Sequence, residues 1–425
     1  MEIRIKHRIS YIICICIFVL ICSTISCKCV HGSFIAIDMG WIFLLWMFTL
    51  AETMSLRAHF STKAIILFGV LLRCGMCFLA EFLDGTLPGF IDSPDQKGFL
   101  SVAEQYFNGN FIEVYTRFPF FIFLLFQVFG PSGMMIRFFN ILLWFLGIKL
   151  IEYSRGNLFG REAQYLICFY CLMTFWIILI VSVLRESVMS FLMMLSVCFL
   201  FKWMDRGQKK DIIWALICSL PAILLHGGNV VILVVIYMVC AQWCVRTKKW
   251  RIFTQKNLLL TSGMIFVLVC LWSVFAGSIL KNYPIWTSWQ LLTNYSQGPA
   301  RADYMNDYIS VTSVGQFVYY TLYRSIFFWI SPTPNFWNTP QDILGFLADS
   351  IPWIIFFLFC LKDIICRKLN AKALVGIYVF LAFTFVYGWG TRNAGTAMRH
   401  RDMLLGMLVM IKLLGHRPDL SIKYS

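Results

Sequence analysis

Apolar runs close to 20 residues long recur along the whole chain, and that recurrence limits its possible folds more than any other feature. A run of this length crosses the roughly 30 Å hydrocarbon core of a bilayer as a helix. Within lipid the backbone N–H and C=O groups must be paired internally, so such runs are helices. The candidate spans are 10–27, 34–53, 64–82, 118–130, 134–151, 165–184, 187–203, 212–225, 229–245, 257–280, 315–331, 346–361, 373–389 and 402–415. The chain reads as all-α, a polytopic transmembrane helix bundle with about 11–13 crossings. It is expected to be a single integral membrane domain over 1–425, with no soluble domain, internal repeat or low-complexity linker. Composition agrees: 13 % of residues are charged, where a soluble domain carries about a quarter.

The basic start at 1–8 and the apolar stretch 11–26 resemble a signal peptide. A small-residue cleavage site is missing and a second apolar run follows at once, so a retained first span is expected. The net charge of +15 does not point to nucleic acid. Its Lys and Arg fall in short clusters between apolar runs, as in cytoplasmic loops, and no basic, aromatic-interleaved domain accompanies them. Cys74 with Cys77, and Cys168 with Cys171, have CxxC spacing but sit inside apolar helical runs with no second pair beside them. Core packing is the expected role. No cofactor is expected, and nothing indicates a divalent metal.

The strongest basic clusters, Arg4 with Lys6 and Arg8, then 202–210, 246–251 and 362–372, are expected on the cytoplasmic side. The stretch 81–117 holds Glu81, Asp84, Asp92, Asp95, Glu104 and Glu113 against Lys97 and Arg117, so 83–117 is expected as an outer loop. Parity then allows 118–151 only one net crossing. By the same logic 315–331 is re-entrant or is paired with another crossing before 346. On this map the turn at Arg185 and Glu186, the stretch His226-Gly-Gly-Asn229, the loop 281–314 and the segment 390–401 share the outer face with the acidic loop.

Several of these polar residues suit chemistry. Asp92 and Asp95 precede an amphipathic helix whose apolar positions are Phe99, Leu100, Ala103, Tyr106 and Phe107, and which could lie on the membrane surface. A carboxylate there suits a general base acting on a sugar hydroxyl. Capping of the helix by Asp92, Ser93 or Asp95 is the structural alternative. The segment 390–401 brings Arg392, Arg399, His400 and Arg401 next to small residues. Arg matches phosphate in planar, bidentate fashion, and glycine lets backbone N–H groups approach an anion. A phosphate on a lipid carrier is the ligand expected at that depth. The alternative, an anchor for lipid head groups, is disfavoured by the outer location. Arg185 and Glu186 interrupt the apolar stretch 165–203, either as an ion pair at a tight turn or as polar groups facing an outer cavity. Arg73 and Arg324 lie within apolar runs and are expected to face a cavity or a partner. His226, ahead of two glycines, is a capping or packing histidine or a site residue.

The string Asp95-Gln-Lys-Gly-Phe99-Leu-Ser-Val-Ala103 matches the form Asp-x-x-x-aromatic-x-x-x-Ala. Phe118-Pro119, Phe129-Gly-Pro-Ser-Gly133, Arg137-Phe-Phe-Asn140, Leu158-Phe-Gly160 and Ala163 follow in order. Over roughly 60–240 this succession resembles the membrane glycosyltransferases of the GT-C superfamily, which carry the acidic motif in their first large outer loop. Asp92-Ser-Pro-Asp95 stands where many members show an Asp-Glu pair, which leaves Asp92 and Asp95 open as the key acid. The large C-terminal soluble domain of oligosaccharyltransferases is absent. The stretches 393–401 and Leu224-Leu-His226 look more like bacterial O-antigen and capsule repeat-unit polymerases. The resemblance implies an inverting, GT-C-like glycosyltransferase using polyprenyl-(di)phosphate-linked sugars at the outer face of a bacterial inner membrane, with a cytoplasmic N-terminus. It would be a repeat-unit polymerase or a single-sugar transferase. Asp95 or Asp92 would act as base or position the acceptor. Arg392, Arg399 and Arg401 would neutralise the departing lipid phosphate, with His400 assisting. Arg185, Glu186, His226 and Arg324 would complete the substrate-binding set. The implied partners are a lipid-linked saccharide donor and acceptor, membrane lipid, and for a polymerase a chain-length regulator and a flippase. A lipid-linked oligosaccharide flippase or transporter is the alternative. Transporters place charge near the bilayer midplane and often carry inverted repeats, whereas here charge gathers on one face and no repeat is found.

Overall fold

The computed structural model describes residues 17, 20–21, 35–82, 94–114, 116–250, 313–366, 369–391 and 393–415. The expected spans 10–27 and 257–280 and the expected loop 281–314 lie wholly or largely outside them. The described helices are α1 (Ile35–Ser55), α2 (Phe60–Phe82), α3 (Pro94–Phe107), α4 (Phe118–Phe129), α5 (Gly133–Arg155), α6 (Arg161–Leu172), α7 (Thr174–Val181) and α8 (Glu186–Arg206). They continue with α9 (Lys209–Leu225), α10 (Val231–Gln242), α11 (Val314–Ile330), α12 (Pro340–Gly345), α13 (Ile351–Ile365), α14 (Ala373–Gly390), α15 (Ala394–Asp402) and α16 (Leu405–Gly415). Among the described residues the strands are limited to an antiparallel pair, Trp243–Cys244 with Lys249–Trp250. Six runs are long and apolar enough to cross a membrane: Ile37–Ser55, Phe60–Ala80, Gly133–Arg155, Glu186–Arg206, Pro340–Ile365 and Ala373–Gly390. The pair α6 and α7, bent by 52°, adds a seventh if it forms one span. The protein is an all-α, multi-pass membrane protein.

The chain divides into two compact units. The first runs through Leu172 and includes Ile177–Val188; the second takes Met173–Trp176 and everything from Met189 onward.

In the first unit the stretch 118–151 holds one helix of spanning length, α5. The 12 residues of α4 reach only about 18 Å, well short of about 30 Å of hydrocarbon. Gly130 at φ +91° closes α4, and Ser132 caps α5 by accepting from Met135 N at 3.3 Å. The apolar face of α3 packs on α4. Phe99 meets Phe118 at 5.2 Å between ring centroids, and Phe107 meets Phe126 at 6.2 Å. Fully buried Arg73 on α2 donates to the carbonyls of Gly69 (3.1 Å) and Cys171 (2.8 Å), and its guanidinium lies 3.8 Å over Trp144. Carbonyl dipoles and a ring face thus receive a cation that apolar packing alone would exclude. Helices α2 and α6 pack together, so the two CxxC pairs occupy neighbouring helices. None of the four forms a disulfide, and no His, Cys, Asp and Glu grouping among the described residues is arranged to hold a metal.

In the second unit side-chain pairs fix helix directions. Trp389 Nε1 donates to Thr321 Oγ1 (3.0 Å) and Trp329 Nε1 to Thr384 Oγ1 (2.8 Å), so α11 runs antiparallel to α14. Asp349 pairs with Arg401 and Asp363 with Lys412, so the run containing α13 is parallel to α15 and α16. The approaches of Gly376 to Ile411 and of Gly415 to Ala373 make α14 antiparallel to α16. Helices α11 and α13 therefore point the same way, and the chain between them must turn back. The end of α11 at Ser331 meets Ser350, whose hydroxyl donates to the Ser331 carbonyl at 2.7 Å. Asp349, next to it, lies about 14 Å along the run that starts at Pro340. Residues 331–339 climb that distance back, so α11 ends inside the protein and the chain doubles back before α13. The climb ends in a capping box, with Asp342 accepting from Thr339 N at 2.8 Å.

Candidate functional sites

The first unit gathers polar groups where the chain breaks between α7 and α8. Residues leaving one helix and entering another expose backbone groups that need partners. Asn140 Nδ2 donates to the Ser182 carbonyl (2.9 Å), and Gln96 Oε1 accepts from Val183 N (3.0 Å). Arg185 Nη1 lies 3.4 Å from Thr116 Oγ1, and Glu186 is buried. Gln96 belongs to the first turn of α3, so its neighbour Asp95 is held at the same break as Arg185 and Glu186. Asp95 is exposed. With α3 beginning at Pro94, Asp95 stands within the first turn and not at the cap, where the helix dipole favours a negative charge. Arg137, buried one turn before Asn140, shares that face of α5. Asp92 lies outside the described residues.

The second unit gathers a different set. His226 ends α9, and its Nδ1 accepts from Gly228 N at 3.1 Å, which places the proton of a neutral ring on Nε2. Buried Asn229 donates to the Ala222 carbonyl at 2.9 Å and accepts from the Tyr387 hydroxyl at 2.7 Å. His400 stands with its ring centroid 5.2 Å from that of His226 and 4.6 Å from that of Tyr387. Thr391 Oγ1 lies 3.1 Å from His400 Nδ1. A Cβ on Gly228 would lie 3.1 Å from both the His226 ring and Tyr387 Cζ, so the cluster packs tightly against this glycine. The network of hydroxyl, amide and two imidazoles can accept, donate and relay a proton.

The arginines divide. Arg399 is half-buried on α15. Arg324 donates to the Trp389 carbonyl at 2.9 Å, with its guanidinium 4.4 Å over the Trp389 ring, beside the C-terminal end of α14. Arg392 lies outside the described residues. Arg401 departs from the expectation of a phosphate ligand at head-group depth. It is fully buried, and every guanidinium nitrogen donates within the protein. Nε and Nη2 reach Asp349, Nη1 the Phe328 carbonyl (2.9 Å), and Nη2 also the Ser331 carbonyl (2.7 Å) and Ser350 Oγ (2.9 Å). A half-helix ending inside the protein leaves carbonyls and the negative end of its dipole to be satisfied, and Arg401 does this for α11.

Sequence reasoning passed over Asp349, Asp402, Asn229 and Tyr387. Asp349 sits in the apolar run 346–361, and the rule that singled out Arg73 and Arg324 applies equally to it. Tyr387 carries no such mark, being one of 17 tyrosines in a chain rich in aromatic residues.

The helices and the two polar clusters define a polytopic α-helical membrane protein with separate charged and imidazole-bearing centres. No protein-family model, curated protein or solved structure matches the chain.

Proposed function

We propose that the protein is a membrane-embedded glycosyltransferase of bacterial cell-surface polysaccharide synthesis, drawing sugars from a polyprenyl-(di)phosphate carrier. Repeat-unit polymerisation is the preferred form and single-sugar transfer the other. The observation that carries the reading is the meeting of His226 and His400 with Tyr387. In an inverting transfer the acceptor hydroxyl attacks the anomeric carbon, the bond from that carbon to the phosphate oxygen breaks, and the hydroxyl proton passes to a base. The imidazole cluster supplies proton-accepting groups, and Arg399 supplies charge for the departing phosphate. Asp95 is the base or acceptor-positioning acid of the first unit. The setting proposed is the bacterial inner membrane, with the N-terminus cytoplasmic and the active groups facing outward. The partners are lipid-linked donor and acceptor, with a chain-length regulator and a flippase for a polymerase. Purified protein given a synthetic polyprenyl-diphosphate-linked saccharide and an acceptor should form a new glycosidic bond. A deletion strain with unchanged surface polysaccharide would refute the reading.

A second reading, a lipid-linked oligosaccharide flippase, is favoured by one observation: α11 ends inside the protein on buried Arg401 and Asp349. Discontinuous helices and charge at depth are the layout transporters use. Translocation of a fluorescent lipid-linked sugar across vesicles, without bond formation, would select it.

A further inference from the structure

Asp349 and Asp402 belong to separate helical runs and are both fully buried. One oxygen of each is accounted for. Asp349 Oδ2 accepts from Arg401, and Asp402 Oδ1 accepts from Trp353 Nε1 at 2.8 Å. The other two oxygens, Asp349 Oδ1 and Asp402 Oδ2, are buried and receive no N–H or O–H donor. The two carboxyl groups are brought together by shared neighbours: Arg401, which pairs with Asp349, directly precedes Asp402, and Trp353, one helical turn after Asp349, donates to Asp402.

The surroundings determine what that pair must hold. From α15 the charged neighbour is Arg401. The end of α11 presents the Phe328 and Ser331 carbonyls, and the α13 run presents Ser350 and Trp353. With both carboxyls ionised, two negative charges would face each other out of water against the single positive charge of Arg401. Two carboxylates sharing a dry site do not both ionise. With one proton the cluster is neutral, and the two orphaned oxygens become donor and acceptor. We propose that Asp349 and Asp402 form a proton-binding site, a single proton bridging Asp349 Oδ1 and Asp402 Oδ2 at the inner end of α11. Arg401 holds both this pair and the last carbonyls of α11. Loss of the proton leaves a buried negative charge beside a helix end that is itself negative. The site therefore links protonation to the seating of α11, whichever reaction the protein performs.

Infrared spectroscopy on purified protein, with aspartate labelled by carbon-13 at the side-chain carboxyl, reads a protonated buried aspartic acid directly. The wild type should show, near pH 7 (about 3 units above the ordinary Asp range), a carboxylic-acid carbonyl band that shifts with the label and with deuterium. Asp402→Asn should remove that band and still fold, because the amide can donate to Asp349 Oδ1. A wild type without such a band overturns the proposal with no variant needed. A band that persists in folded Asp402→Asn protein also overturns it, for another aspartate then holds the proton.

Discussion

The rings of His226 and His400 meet edge to face at 76°, 5.2 Å between centroids, although one closes α9 and the other lies on α15. Tyr387 on α14 joins them, its hydroxyl 3.4 Å from His226 Nδ1. One polar cluster thus ties the end of α9 to the consecutive helices α14 and α15. The same contact explains the Gly-Gly pair after His226. A Cβ on Gly228 would lie 3.1 Å from the His226 ring and from Tyr387, so one of them would have to give by a few tenths of an ångström.

His400→Ala should lower transfer by about 100- to 10,000-fold, the usual cost of removing a general base or acid. Tyr387→Phe tests the support of the cluster separately. It leaves buried Asn229 Oδ1 without the Tyr387 donor, so stability should fall by about 1–3 kcal/mol. Thermal unfolding in detergent measures the second effect and turnover the first. Unchanged turnover in His400→Ala would make the cluster a packing feature.

Gly228→Ala should damage activity more than stability. The added methyl forces His226 or Tyr387 to shift, an overpacking cost of about 1–3 kcal/mol, and the His226 to His400 geometry is lost with it. Circular dichroism and donor turnover, measured together, separate the outcomes. Turnover at the wild-type level would mean that ring placement does not matter to function.

Asp95→Asn should leave insertion and folding intact while transfer falls by about 100- to 10,000-fold. Asp95 is exposed and lies in the first turn of α3, so little packing depends on its charge. Asp92→Asn belongs beside it, since the sequence motif leaves the two acids open. Near-normal polysaccharide from both variants would reduce Asp95 to a favourable charge at a helix start.

Helix positions were legible because membrane helices announce themselves by length and hydropathy: α2, α5, α8 and α14 fall within a few residues of their expected ranges. Depth was less so. The 17 residues of α11 read as a candidate span, yet they are not among the runs long and apolar enough to cross a membrane. Only the pairing of Ser331 with Arg401 and Ser350 shows that α11 stops inside the protein. The partner of α3 was hidden for a related reason, because an apolar stripe looks the same whether lipid or α4 covers it. For charged residues the sequence locates the side chain but not its direction. Arg399 and Arg401 look equivalent in the string Arg-His-Arg, yet two residues on a helix differ by about 200° around the axis.

That rotation makes the two arginines a discriminating pair. Arg399 is half-buried, whereas Arg401 is fully buried and tied to Asp349, Phe328, Ser331 and Ser350. Removing one partner of a buried ion pair costs about 3–5 kcal/mol, because the other charge stays behind. Arg401→Ala should therefore lower the unfolding temperature sharply and reduce the yield of folded protein, and Arg401→Lys should recover part of it by keeping the charge without the planar fork. Arg399→Ala should lose at least about tenfold in use of a polyprenyl-diphosphate donor, matching one charge-assisted hydrogen bond. Arg399→Lys should again recover only part. Thermal unfolding and donor titration on the same preparations give both numbers. A stable Arg401→Ala protein would remove Arg401 from its place at the end of α11. An Arg399→Ala protein with full donor use would take the phosphate-binding role away from this segment, and the flippase reading would gain.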